Sequence, residues 1–215
     1  MGIQTIGNGG AILEVDATFK AGRSSVRPME CLNWYSIGAQ SGLLTGVAAA
    51  GALFSFRNLA ATPVAVRRVG VGFIATTGFT AAQKLDWGLI VARAFSASDT
   101  GGTPIALTGN NGKMRSSLAT ITSVDCRIAT TTALTAGTKA LDTNHLSQIG
   151  AYALAAGVGV LLAPSASSLL QHDTGDYPLV LAQNEGLNIQ NLTAMGAGGV
   201  GVLYVNIELA EVPSY

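Results

Sequence analysis

The sequence predicts an all-β fold: a single antiparallel β-sandwich of jelly-roll-like type, with about eight strands joined by long loops rich in Gly, Thr and Ser. Three observations carry that expectation. Apolar residues recur at every second position in several separate stretches, the pattern of a sheet with one buried face. Helical periodicity is weak, and Thr, Val, Gly and Asn are too frequent for long helices. Turn-forming links separate the alternating stretches, as in sandwiches and barrels.

In residues 12–20, Leu13, Val15, Ala17 and Phe19 fall on one face, while Glu14, Asp16, Thr18 and Lys20 fall on the other. Residues 52–58 set Phe54 and Phe56 opposite Ser55 and Arg57. Residues 64–75 change phase: Val64 and Val66 share one face, Val69, Val71 and Phe73 the other. A bulge around Arg67-Arg68 would reset that phase. Residues 85–95 place Leu85, Trp87, Leu89, Val91 and Phe95 together, with small Gly88, Ala92 and Ala94 opposite. A short helix is expected within 138–153. Residues 178–182 form a short strand candidate, 184–186 a turn, and 187–191 alternate again. The strongest strand comes last, with Leu203, Val205, Ile207 and Leu209 against Tyr204, Asn206 and Glu208. Long polar links fall at 96–103, 109–117 and 165–177. No shift of composition marks a boundary, so residues 1–10 are expected to form an N-terminal arm and residues 11–215 one sandwich domain.

The 215 residues carry 12 Lys and Arg against 12 Asp and Glu, and charged residues make up 11% of the chain, where a soluble domain has about 25%. Without a basic excess, electrostatic capture of nucleic acid or of an anionic membrane is not expected. A chain that is 48% hydrophobic, with mean hydropathy +0.40, is not disordered by self-repulsion either. Few charges and no net charge give weak colloidal repulsion, which suits a molecule that lives in an assembly. Residues 1–6 show neither a basic start nor an apolar run, so no secretory signal is expected, and Ile6 stands where myristoylation wants Ser or Thr. Cys31 and Cys126 read as free thiols of a reducing compartment. The uncharged residues 31–56 are interrupted by Asn33, Ser36, Gln40, Ser41 and Thr45. Residues 149–163 are too short to span a bilayer and stop at Pro164. Their Gly and Ala suit close packing in a core or an interface.

Chemistry-bearing residues are sparse. His172, Asp173, Asp176 and Tyr177 crowd into one segment that could hold a metal or a proton-transfer pair, but Asp, Gly and Pro there also make a turn, and no second cluster supplies further ligands. His145 stands alone, and no Gly-x-Ser-x-Gly elbow occurs. Gly196, Gly198 and Gly201 match the dinucleotide fingerprint, yet they run into a strand instead of a helix, so a flexible hairpin connection is expected. Gly109 to Lys113 reads as a turn. Arg67-Arg68 and Lys113-Met114-Arg115 lack the interleaved aromatics of a nucleic-acid platform. The Asn191-Leu192-Thr193 sequon matters only in a secreted chain. Trp34, Tyr35 and Trp87 are candidate stacking residues for a sugar, although the phase of Trp87 puts it in the core. The residues therefore predict no catalytic, cofactor or metal site.

The segment Pro178-Leu-Val-Leu-Ala-Gln-Asn-Glu-Gly-Leu-Asn-Ile-Gln-Asn191, followed by a long last strand ending Glu208-Leu-Ala-Glu-Val212, resembles the C-terminal part of small jelly-roll virion proteins of tailed bacteriophages. Such proteins decorate or cement heads, or are minor components of the particle. The resemblance implies a non-enzymatic virion structural protein that stabilises the phage head and is assembled in the host cytoplasm. Its partners would be the major capsid protein or neighbouring virion subunits, with no nucleic acid and no membrane. A homo-oligomer, such as a trimer, follows by fold analogy. A tail, adaptor or baseplate component is the alternative, and a carbohydrate-binding sandwich a second one. Contacts are expected from Ile3 and Ile6 of the N-terminal arm, which could order on a neighbouring subunit.

Overall fold

A computed structural model describes residues 33–107, 109, 112–114, 121, 123–163, 167–172 and 178–212. The alternating stretch 12–20, the arm with Ile3 and Ile6, and Cys31 lie outside the described residues. Among those described the chain forms fourteen strands and no helix. In order they are β1 (Asn33–Gln40), β2 (Leu44–Thr45), β3 (Gly51–Asn58), β4 (Val64–Thr77), β5 (Gln83–Phe95), β6 (Thr103–Pro104) and β7 (Val124–Ile128). There follow β8 (Lys139–Leu141), β9 (Ser147–Ala153), β10 (Gly159–Leu162), β11 (Ser168–Gln171), β12 (Leu179–Leu181), β13 (Gly186–Asn191) and β14 (Val200–Glu211). Six of these have two to four residues (β2, β6, β8, β10, β11 and β12) and eight have five or more, so the described residues alone hold more strands than the eight or so expected.

The strands make two seven-stranded antiparallel sheets. In the first, β14 lies between β1 and β4, and β12, β11 and β10 succeed one another along the far side of β4. In the second the order is β6-β7-β3-β13-β5, with β9 and β8 both along the far side of β5. The inner faces meet in one core, where the rings of Phe73 on β4 and Trp87 on β5 pack 5.0 Å apart at 35°. The phase change in β4 has the cause its sequence suggests. Glu208 pairs with Arg68 while Leu209 pairs with Val66, so Arg67 is an extra residue in the ladder. The bulge lets Val64 and Val66 share the buried face with Val69, Val71 and Phe73, all fully buried.

No helix occupies 138–153; β8 and β9 lie there instead. Along β9 burial has period two, with Ser147, Ile149 and Ala151 half-buried and Gln148, Gly150 and Tyr152 exposed. Small residues on both faces hide that period in the sequence. The glycine-rich residues 196–201 are not a hairpin connection either, because β13 belongs to the second sheet and β14 to the first. The chain crosses between sheets there. A Cβ at Gly199 would enter the ring of Phe79, and one at Gly201 the ring of Phe73. These glycines are required by aromatic packing.

The second sheet is covered on its outer face as well. The link after β5 folds back over it and is pinned by Asp99. Its Oδ1 accepts from the Gly137 amide at 2.7 Å and from Lys139 Nζ, and its Oδ2 accepts from Asn188 Nδ2 at 2.7 Å. Both charged side chains are nearly inaccessible. Lys139 and Arg57 also stack on Phe95, at 5.4 Å and 5.6 Å from the ring centre. Burial pushes the Asp99 carboxyl upward, but hydrogen bonds from Lys139, Gly137, Ser55 and Asn188 outweigh it and hold the group below its ordinary value.

Replacing Phe73 by Ala empties the inter-sheet contact, and urea unfolding should register a loss of about 3–5 kcal/mol. A carboxyl held low contributes stability that is complete above its unfolded value of about 3.9 and is lost as pH falls through the folded one. Asp99→Asn should therefore flatten the decline of the melting temperature below about pH 4 while lowering stability at pH 7, where it leaves Lys139 buried without a counter-charge.

Candidate interaction surface

Large exposed apolar side chains are concentrated on one flank. Leu141, Leu146, Tyr152, Leu154, Val158 and Val160 all belong to it, leaving only Leu43, Leu59 and Met114 elsewhere among the described residues. Tyr152, Leu154, Val158 and Val160 are each more than three-fifths exposed. The flank is built by β8 and β9, the outer strands of the second sheet, and by the turn that carries the chain from β9 to β10 in the first. Ser147 Oγ donates to the carbonyl of Leu169 on β11, which ties the two sheets along this side. From Thr143 to His172 the sequence contains no Asp, Glu, Lys or Arg.

The turn is anchored beneath. The Ala156 amide donates to the Phe79 carbonyl at 2.8 Å, and the Gly157 amide to that of Leu154 at 3.1 Å. Ala156 adopts a φ of 55°, a left-handed conformation that costs a residue with a Cβ about 1–2 kcal/mol. Strain of this kind accumulates where a segment must present particular groups.

β9 is an edge strand; among the described residues it pairs only with β5. The Leu192 amide donates to the carbonyl of Asp86, and that of Leu146 to the carbonyl of Leu89. Even-numbered residues of β5 thus bond towards β13 and odd-numbered ones towards β9. Opposite Leu85, Trp87 and Leu89 stand Ala151, Ile149 and Ser147, so alternation turns the backbone groups of Gln148, Gly150 and Tyr152 outward. Beside them lies a shallow hollow of about 540 Å³ lined by Lys84, Asp86 and residues 148–152. Lys84 Nζ is 2.7 Å from Asp86 Oδ2, to which Thr193 Oγ1 also donates at 3.0 Å.

The residues singled out in the sequence fall elsewhere. Trp87 and Tyr35 are fully buried, the latter donating to Glu211 at 3.2 Å, so neither can stack on a sugar. Trp34 carries the guanidinium of Arg67 5.5 Å above its ring. His172 donates its amide to the Arg67 carbonyl at 3.0 Å, while Asp173, Asp176 and Tyr177 lie outside the described residues. His145 Nε2 is 3.2 Å from Gln190 Oε1, its ring lying where Gly88 lacks a side chain. Lys113 faces Tyr35 across a bridge in which the Ser36 amide donates to Gly112 and the Met114 amide to Trp34, so residues 112–114 line the outer edge of β1. Asn191 is buried and its side chain donates to the carbonyls of Val47, Ala48 and Thr193, which removes the sequon from solvent. Cys126 is a buried free thiol whose ionisation burial makes harder. Among the described residues no three His, Cys, Asp or Glu side chains converge as metal ligands, and no helix is long and apolar enough to cross a membrane.

Compared with protein families, with curated proteins and with solved structures, the chain matches none. The exposed flank is legible in the sequence only as a charge-free run; nothing in its composition separates an interface from a core.

Replacing Val158 and Val160 together by Lys should cut the fluorescence of a bound hydrophobic dye. Both side chains already face water, so unfolding free energy should change by less than about 0.5 kcal/mol for each.

Proposed function

We propose that this protein is a non-enzymatic structural subunit of a phage virion, acting as a head decoration or cement protein. The observation that carries the reading is the concentration of exposed apolar side chains on one flank of a two-sheet body, most of them within the charge-free run from Thr143 to His172. Apolar side chains exposed in such numbers on one side of a molecule mark a place where a partner sits. The C-terminal segment, residues 178–212, supplies the virion context through its resemblance to small phage virion proteins. The mechanism is geometric: the sandwich lies across neighbouring capsid subunits, so that separating them must also expose the area it covers. Stable specific contacts bury about 1,600 Å². Repetition over a shell multiplies weak contacts without new chemistry. The tail, adaptor or baseplate alternative uses the same surface at a lower copy number.

Particles carrying the protein should release DNA at a higher temperature than particles lacking it, and the V158K/V160K double variant should be lost from purified particles. Equal release temperatures would remove the cementing role. A handful of copies at one vertex, counted by quantitative mass spectrometry, would move the protein to the tail.

A further inference from the structure

We infer that β9 pairs antiparallel with β9 of a second copy of this chain, about a two-fold axis at Gly150, joining their second sheets edge to edge. The inference takes the exposed flank as the working surface, and so rests on the structural reading above, but names its partner.

The edge is suited to itself. A two-fold at Gly150 sets Gly150 opposite Gly150 of the second copy and Gln148 opposite Tyr152 of the second copy. All three residues direct their backbone groups outward, so each pair can exchange two hydrogen bonds. An isologous contact must not bring like charges together. No charged residue occurs between Thr143 and His172, and the two that line the adjoining hollow, Lys84 and Asp86, already neutralise each other. At the axis Gly150 adds no side chain, since a Cβ there would run into Asp86 Oδ1. Tyr152 of the second copy therefore stands opposite Gln148 and diagonal to a bare glycine, within the reach of an aromatic ring. Leu154 follows directly and extends the apolar contact.

Among the described residues the other long edges carry partners along them that β9 lacks. Residues 112–114 lie along β1, and β6 pairs with β7. Natural edges are otherwise protected by Lys, Pro or a bulge. The sequence of β9, Ser-Gln-Ile-Gly-Ala-Tyr-Ala, contains neither Lys nor Pro, and its ladder with β5 runs in unbroken register.

The test uses the full chain in sedimentation equilibrium across micromolar concentrations, with amide hydrogen exchange at each concentration. The wild type should dimerise, and the amides of Gln148, Gly150 and Tyr152 should slow as concentration rises. Gln148→Pro removes an outward N–H from an edge position that tolerates proline, and Tyr152→Lys puts a charge opposite Gln148 of the second copy. Each should raise the dissociation constant at least about tenfold, with unchanged urea midpoints in the monomer showing that the fold is intact. A wild type monomeric throughout, or variants that dimerise like it, would overturn the pairing. So would protection at residues 148–152 independent of concentration, which would mean that the alternating residues 12–20 of the same chain fill the edge. Loss of particle binding by the V158K/V160K variant, in a protein that stays monomeric, sinks the pairing and leaves the virion reading standing. Dimers of a chain absent from particles sink the virion reading and leave the pairing.

Discussion

The ladder between β4 and β14 is the constraint on which the rest of the molecule depends. It is the longest in the structure and occupies the middle of the first sheet. β4 organises three short strands along its other side, and β14 the long β1 and the short β2. The single extra residue at Arg67 decides which side chains reach the core. Without it, the valines at 64 and 66 would face solvent whenever Val69, Val71 and Phe73 faced inward, because side-chain direction has period two. The outward turn at the bulge also brings Arg67 over Trp34 on β1, so the same irregularity that aligns the core reaches across β14 to the strand beyond it.

The second sheet meets a different problem. Its centre, β13, is buried at every position although it contains Asn188, Gln190 and Asn191. Burial of amides is tolerable only where partners exist. The chain supplies one for Asn188 Nδ2 by laying the link after β5 across the outer face, where Asp99 joins it to Lys139, while Gln190 Oε1 lies against His145 and Asn191 Nδ2 donates to the carbonyls of Val47, Ala48 and Thr193. That link reads as a polar loop in the sequence, yet it is half of a buried network. Charges are scarce in this protein, and several of the few it has lie inside, at Asp99, Lys139 and Asp86. The surface is poorer in charge than the composition alone implies.

These placements mark how far sequence could reach. Strong alternation of large apolar residues with polar or small ones exposed β3, β5 and β14, and the broken phase of β4 exposed its bulge. β9 stayed hidden because Ala and Gly stand where a strand would show contrast, so a helix was the natural expectation. β1 stayed hidden for the same reason: Ser36, Gly38 and Gln40 face outward without charge. The glycines at 199 and 201 imitate a nucleotide-binding fingerprint, but their cause is the nearness of Phe79 and Phe73, which only long-range packing reveals. The flank is legible as an uncharged run and no further, since an interface and a core share their chemistry.

What separates the two is where the strand sits. An apolar strand at the centre of a sheet has both rows of backbone groups paired; at an edge it offers one row to whatever arrives. Proteins that remain single guard such edges, because open pairing has no intrinsic limit. Here an edge that no strand pairs among the described residues coincides with the most exposed apolar side chains and with a turn held in a left-handed conformation at Ala156. Each of these features is costly in a molecule that stays alone. Together, on one flank, they are the features of a surface that is covered when the protein does its work.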